Sequence, residues 1–212
     1  MDIANAAVQQ YSEKYTSPED ELLKKVFDFT IQNHPKHHMI SGPLQGKFLE
    51  MVSSMIKPKK ILEIGTFTGY SALCLAKGLQ DDGSLHTIEL REEDAKSAKG
   101  FFDQSFFKEK IILHIGDALE IVGKLDDTWD LVFIDADKEN YIRYFNLVLP
   151  KVKQNGFILA DNVLFHGEVL KKEIKGKSAK AIQAFNDYIL TRTDVEKMIL
   201  PLRDGLMLIR KL

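Results

Sequence analysis

Two stretches of this chain hold side chains that chemistry could use. Ile134-Asp135-Ala136-Asp137-Lys138-Glu139-Asn140-Tyr141 sets carboxylates around an ammonium, and Asp161-Asn162 later pairs an acid with an amide. Asp135, Asp161 and Asn162 are hard oxygen donors, suited to a divalent cation such as Mg²⁺ that keeps exchangeable waters. Asp and Asn also cap helices, and capping would account for either acid alone. Beside a divalent cation, Lys138 should release its proton more readily than a free lysine, which would make it a base. His166, in Leu164-Phe165-His166-Gly167-Glu168, could touch a substrate or act as a second base; a loop histidine is otherwise simply solvated. His37 and His38 are adjacent, and adjacent side chains rarely converge on one ion.

A third stretch has the makings of a nucleoside site. Ile61-Leu62-Glu63-Ile64-Gly65-Thr66-Phe67-Thr68-Gly69-Tyr70-Ser71 reads as a strand turning into a helix. Glycines at such a turn admit a ligand close to the backbone and to free helix N–H groups. Gly65 and Gly69 have no third glycine in register, so the dinucleotide fingerprint is incomplete. Glu63 would repel a pyrophosphate and favour a cationic ligand. Glu89 ends the next strand, where an acid can accept both hydroxyls of a ribose. Gly116-Asp117-Ala118 follows the third, where an adenine edge could be read.

The elements that must position these residues follow from patterning. The spacing predicts a helix after Ser17-Pro18-Glu19-Asp20, with Ser17 as cap, Pro18 in the first turn and Leu22, Leu23, Val26, Phe27 and Ile31 on its apolar face, ending at His34-Pro35. Another starts at Ser41-Gly42-Pro43, carries Leu44, Phe48, Leu49, Val52, Met55 and Ile56, and stops at Lys57-Pro58. Short apolar runs at Lys60–Ile64, Leu85–Ile88, Ile111–Ile115, Leu131–Ile134 and Phe157–Ala160 then alternate with helical stretches, which predicts a parallel sheet covered on both faces. Val195–Leu202 and Leu206–Leu212, joined by Arg203-Asp204-Gly205, predict a terminal antiparallel hairpin. The expected organisation is an N-terminal helical arm, residues 1–57, on an α/β core, residues 58–212, in one domain. Trp129 and Cys74 are expected in the core.

Composition narrows the function class. The 212 residues are 44% hydrophobic and 28% charged, ordinary for a globular protein. A net charge of −2 offers no electrostatic reason to expect a nucleic-acid or membrane partner. One cysteine excludes an intrachain disulfide and suggests a reducing, cytoplasmic setting. Met1-Asp2-Ile3-Ala4-Asn5 does not read as a secretory leader, and no apolar run reaches membrane-spanning length.

These segments resemble those of the cation-dependent class I S-adenosylmethionine O-methyltransferases, the catechol and caffeoyl-CoA O-methyltransferase group. The likeness runs over residues 35–212: Met39 through Gly46, Glu63 through Ser71, Glu89, Gly116-Asp117-Ala118, Ile134 through Tyr141, Asp161 through Gly167, and Asp204-Gly205. It implies a Rossmann-like doubly wound sheet of seven strands in the order 3-2-1-4-5-7-6, with strand 7 antiparallel. It implies S-adenosylmethionine bordered by Met39, Glu63, Gly65, Thr66, Phe67, Gly69, Tyr70, Ser71, Glu89, Leu90, Asp117, Ala118, Asp135, Asp137 and Tyr144. Its positive sulfonium and ammonium would explain Glu63. It further implies a divalent cation (Mg²⁺ first, Mn²⁺ or Ca²⁺ next) on Asp135, Asp161 and Asn162, and Lys138 as general base. The acceptor would be a catechol-type phenol near Met39, Lys138, Phe165, His166 and Asp204, and the assembly a homodimer. A methyltransferase acting on a non-catechol acceptor is the other reading. Leu44, Gln45 and Lys47 depart from plant caffeoyl-CoA enzymes, which carry two acids and a glutamine there; Phe165 and His166 depart on the acceptor side.

Overall fold

The computed structural model describes residues 6–212. The first five residues, where the reading of a leader falls and the arm begins, lie outside the described residues.

The arm is three helices, α1 (Ala6–Lys14), α2 (Glu21–Asn33) and α3 (Pro43–Ile56). Helix α2 begins later than expected: Asp20, not Ser17, is its cap, and its carboxylate accepts the Leu23 N–H at 2.8 Å. An acid there satisfies an orphan donor and meets the positive end of the helix dipole. Leu23, Val26 and Thr30 face inward while Ile31 is exposed, so the buried stripe is narrower than the apolar pattern. Helix α3 buries Gln45, Gly46, Leu49, Val52 and Ser53 and leaves Met55 exposed. Small and polar residues thus form much of its inner face, because it lies against the core helix α4 (Tyr70–Ala76) rather than an open apolar surface.

The core alternates as its pattern predicts. Strands β1 (Lys60–Ile64), β2 (Ser84–Glu89), β3 (Ile111–Ile115), β4 (Trp129–Ile134), β5 (Val152–Asp161), β6 (Val195–Leu200) and β7 (Leu206–Lys211) form one sheet in the order β3-β2-β1-β4-β5-β7-β6. Strands β1 to β5 run parallel, and β7 enters antiparallel between β5 and β6. Ile61, Leu131 and Phe133 share one cluster with Leu23, Leu49, Leu75 and Phe102 of the arm and of helices α4 and α5 (Glu92–Phe102). Leu62, Val132 and Ile134 share the other with α6 (Ala118–Lys124), α7 (Tyr141–Val148) and α8 (Lys177–Thr191). Successive residues of a strand point to opposite faces, so a strand covered on both sides must be apolar throughout. Cys74 and Trp129 are fully buried.

The sheet order reverses between β1 and β4. Their carboxyl ends flank the crevice where ligands enter an open α/β sheet. Gly65 is required there: its φ is +99°, and a β-carbon would overlap the Asp135 carbonyl of the neighbouring strand. No helix among the described residues is long and apolar enough to cross a membrane.

Candidate active site

A cavity of about 700 Å³ opens at this reversal. Gly65, Thr66 and Phe67 line it from the turn after β1, with Tyr70 and Ser71 from the first turn of α4. The turns after β2 and β3 add Glu89, Leu90, Asp117 and Ala118. Asp135, Asp137, Lys138 and Tyr144 follow β4, and Asp161, Asn162, Phe165 and His166 follow β5. Met39 closes it from the arm and Asp204 from the terminal hairpin. Two of the residues singled out in the sequence are not on the wall. Gly69 packs against the Phe102 ring, and Glu63 lies beneath the turn, wholly buried.

Glu63 sits at the base of a short polar chain. The Thr87 hydroxyl donates to its Oε2, and Thr66 shares a hydrogen with Thr87 above. Its Oε1 has no hydrogen-bond partner among the described residues. Burial, aided by the negative charges of Asp135 and Glu89, pushes the carboxyl up to about 8 despite the opposing pull of the nearby Ser71 and Thr87 hydroxyls. Glu89 is better solvated by the backbone: it accepts the Phe67 N–H at 2.7 Å and the Arg91 N–H at 3.0 Å. Those bonds fix the carboxylate at the cavity edge and hold Phe67 at φ +50°.

The opposite end is acidic. Asp161 accepts its neighbour Asn162 N–H on Oδ1 at 2.8 Å and the Gln45 amide on Oδ2 at 2.7 Å. Burial and the charge of Asp135 lift its carboxyl to about 6. Lys138 Nζ lies 2.8 Å from Asp135 Oδ1 and 2.7 Å from the Tyr141 hydroxyl, which is within hydrogen-bond reach of the Asp161 carbonyl. The expectation that Lys138 parts easily with its proton supposes a divalent cation and a cationic cofactor beside it. Burial favours the neutral amine, but Asp135, Tyr141 and Asp161 outweigh it and hold the ammonium well above its ordinary value.

The oxygen donors suit a hard cation. Asp161, which the charge of Asp135 destabilises as a carboxylate, would gain from a positive charge set between the two. The Asn162 side chain, held at φ +58°, makes no hydrogen bond among the described residues and so has a carbonyl to offer. Among those residues no group of three or more His, Cys, Asp or Glu comes together as a metal site, so the amide would have to complete the set.

The remaining singled-out residues are partly occupied by structural work. Asp117 caps α6, accepting the Leu119 N–H at 2.7 Å. Asp137 accepts from the Tyr144 hydroxyl and from Asn140 at 2.6 Å. Asp204 accepts the His166 N–H, while the His166 ring is largely exposed and 3.6 Å from the same carboxylate.

An O-methyltransferase family model matches residues 12–212, nearly the whole chain. The chain belongs to the O-methyltransferase family. It is 33% identical over 98% of its length to a Dictyostelium discoideum protein named "Probable caffeoyl-CoA O-methyltransferase 2", and covers 93% of that protein. An SAH-bound Podospora anserina methyltransferase superposes with TM-score 0.90 at 26% identity, over 97% of this chain and 94% of the other. An O-methyltransferase from Bacillus cereus in complex with SAH gives 0.88 at 30% identity, over 97% of both chains.

Three residues of this O-methyltransferase's site were not assigned roles from the sequence. Arg91 lines the cavity and lies 5.7 Å from the Phe67 ring centroid. Gln45 reaches Asp161 from α3, 116 positions away in the chain. Arg203 lines the cavity from the hairpin and donates to the Ile40 and Ser41 carbonyls and to Gln45 Oε1. The position of Gln45 within the family-like segment marked it as a departure; nothing local could have paired it with Asp161.

Proposed function

We propose that this O-methyltransferase moves a methyl group from S-adenosylmethionine to one hydroxyl of a catechol-type small molecule, with a divalent cation, Mg²⁺ before Mn²⁺ or Ca²⁺, held by Asp135, Asp161 and Asn162. The observation that carries the reading is that these oxygens and Lys138 border the same cavity as the glycine turn and Glu89. The SAH-bound relatives support the cofactor, and the caffeoyl-CoA relatives, whose named substrate bears vicinal phenolic hydroxyls, support the acceptor class.

When bound, the cofactor supplies an electrophilic methyl and the cation supplies Lewis acidity toward a phenol. The chain's own residues do the rest. Gly65, Thr66, Phe67, Tyr70 and Ser71 border the methionine portion above Glu63, Glu89 accepts the ribose hydroxyls, and Asp117 and Ala118 border the adenine. Lys138, anchored by the Tyr141 hydroxyl, would release its own proton to solvent once a cation balances the charge of Asp135 and Asp161, and the neutral amine would then take the acceptor's proton. Met39, Phe165, His166 and Asp204 orient the ring. Much of the acceleration comes from holding oxygen and methyl carbon in line.

The test is methyl transfer to caffeic acid with Mg²⁺ and with EDTA. Product that disappears in EDTA and returns with excess Mg²⁺ is expected, and Lys138→Ala should lower kcat by about 100-fold or more. Equal product under both conditions would instead support a metal-free route through Lys138 or His166, and no product under either, with the cofactor still bound, would support a non-catechol acceptor. Exposed Val8 and Tyr11 on α1, Tyr15 just past it, and Met51 and Met55 on the adjoining α3 support a homodimer, which light scattering would detect. The single buried thiol of Cys74 supports a reducing, cytoplasmic setting.

A further inference from the structure

We propose that Gln45, oriented by Arg203, is a positioning residue that sets the Asp161 carboxylate for cation binding. The proposal rests on the metal reading above.

Gln45 is 1% exposed, and both ends of its amide are used. Nε2 donates to Asp161 Oδ2 at 2.7 Å, and Oε1 accepts from Arg203 Nη1 at 3.2 Å. A guanidinium can only donate and an ionised carboxylate can only accept, so the two neighbours dictate which way the amide faces. The Asn162 N–H takes the other carboxylate oxygen at 2.8 Å. Each Asp161 oxygen therefore receives one donor and keeps a lone pair for a cation, while the rotation of the carboxylate is set from two sides.

The identity of the donor matters. A lysine at position 45 would neutralise Asp161 and compete with a cation. An acid would need a proton to sit there. A neutral amide orients the carboxylate and leaves its charge intact.

Arg203 gives the arrangement its rigidity. It donates to the Ile40 and Ser41 carbonyls at the entry to α3, and to Gln45, from the turn between β6 and β7. No carboxylate lies within ion-pair distance of it among the described residues. Its charge is thus spent on neutral acceptors that hold arm and hairpin together around Asp161.

The test is Mn²⁺ binding, followed by the EPR signal of the free ion, with SAH affinity by calorimetry and Tm as controls. Gln45→Met, which keeps length and loses both hydrogen bonds, should weaken Mn²⁺ binding about 10- to 100-fold and change SAH affinity by less than about threefold. Arg203→Met should weaken it by a smaller factor. The double variant should bind no more weakly than Gln45→Met alone, because Arg203 acts through Gln45. Should Gln45→Met fail to fold, Arg203→Met decides, since it frees the amide without removing it. Mn²⁺ affinity unchanged in the variants, or additive losses in the double variant, overturns the proposal. Failure of the parent protein to bind Mn²⁺ at all overturns the metal reading beneath it.

Discussion

At the scale of single residues, Glu63 shows how this site trades stability for charge. It is fully buried, one of its oxygens lacks a partner among the described residues, and burial pushes its carboxyl up to about 8. Its unfolded value is near 4.5, so the unfolded chain gives up the proton first as pH rises. The cost to the folded protein therefore grows from pH 4.5 to pH 8 and then levels off. Glu63→Gln removes that cost and should stabilise the ligand-free protein at pH 8 by about 1–3 kcal/mol in urea unfolding. The same change should weaken S-adenosylmethionine binding by about tenfold, since a carboxylate beneath the turn favours a cationic ligand. Higher Tm with unchanged affinity would reduce Glu63 to a scaffold role. The acid was legible as anomalous in the sequence, because a strand-end carboxylate needs a reason. Its retreat behind the cavity wall was not, because depth depends on how Thr66 and Thr87 stack above it.

At the scale of elements, the arm is tied to the core by an ion-pair cluster as well as by apolar contact. Lys77, just past α4, lies 2.9 Å from Asp20 at the start of α2 and 2.9 Å from Glu50 on α3, which also meets Lys47 at 3.0 Å. Burial by itself would raise both carboxyls; the Leu23 N–H on Asp20 and the lysine ammoniums on Asp20 and Glu50 outweigh it and hold both below their ordinary values. Their stabilisation is present above the unfolded carboxylate range and fades as pH falls through the lower folded values. Lys77→Met keeps the aliphatic stem and should cost about 1 kcal/mol at pH 7, the pairs being partly exposed. Below about pH 3 the difference from the parent should shrink, as urea unfolding at the two pH values would register. A penalty that persists in acid would assign the effect to packing. Helices α2 and α3 were readable from apolar spacing, with Pro43 and Lys57-Pro58 marking the ends of α3, whereas α1 carries too weak a pattern to have been delimited. The cap of α2 was misplaced because Ser17-Pro18 and Asp20 are all locally good starts, and the choice went to the residue whose carboxylate also meets Lys77.

At the scale of the whole molecule, stability against pH is a contest between groups of opposite sign. His86 and His114 stack between β2 and β3 with Nδ1 and Nε2 3.1 Å apart. Burial lowers His86 to about 4, despite the attraction of Asp127, and His114 and Lys60 add to the lowering. The unfolded chain takes up the His86 proton near 6.5 and the folded one only near 4, so His86 withdraws stability as pH falls through that window, and His114, lowered by burial, acts in the same direction. Glu63 acts in the other direction over pH 4.5–8. His86→Leu should therefore flatten the acid limb relative to the parent, by about 1–3 kcal/mol between pH 6.5 and 4, whatever constant packing penalty it adds. An unchanged slope would remove His86 from the account. The order of elements, the β-α alternation, the closing hairpin and the acids at the ends of β4 and β5 could all be read from residue types, because periodicity and turn chemistry are local and act wherever they occur. Which of those residues meet was decided only by folding. The strand order brings Asp135 and Asp161 to neighbouring strand ends, and the docking of α3 delivers Gln45 to Asp161 and Arg203 to Gln45. The hydrogen bonds of Lys138 to Asp135 and Tyr141 are local, but Tyr141 meets the Asp161 carbonyl only once β4 and β5 lie side by side. Long-range pairing and burial set charge states, and both are properties of the packed chain rather than of any segment.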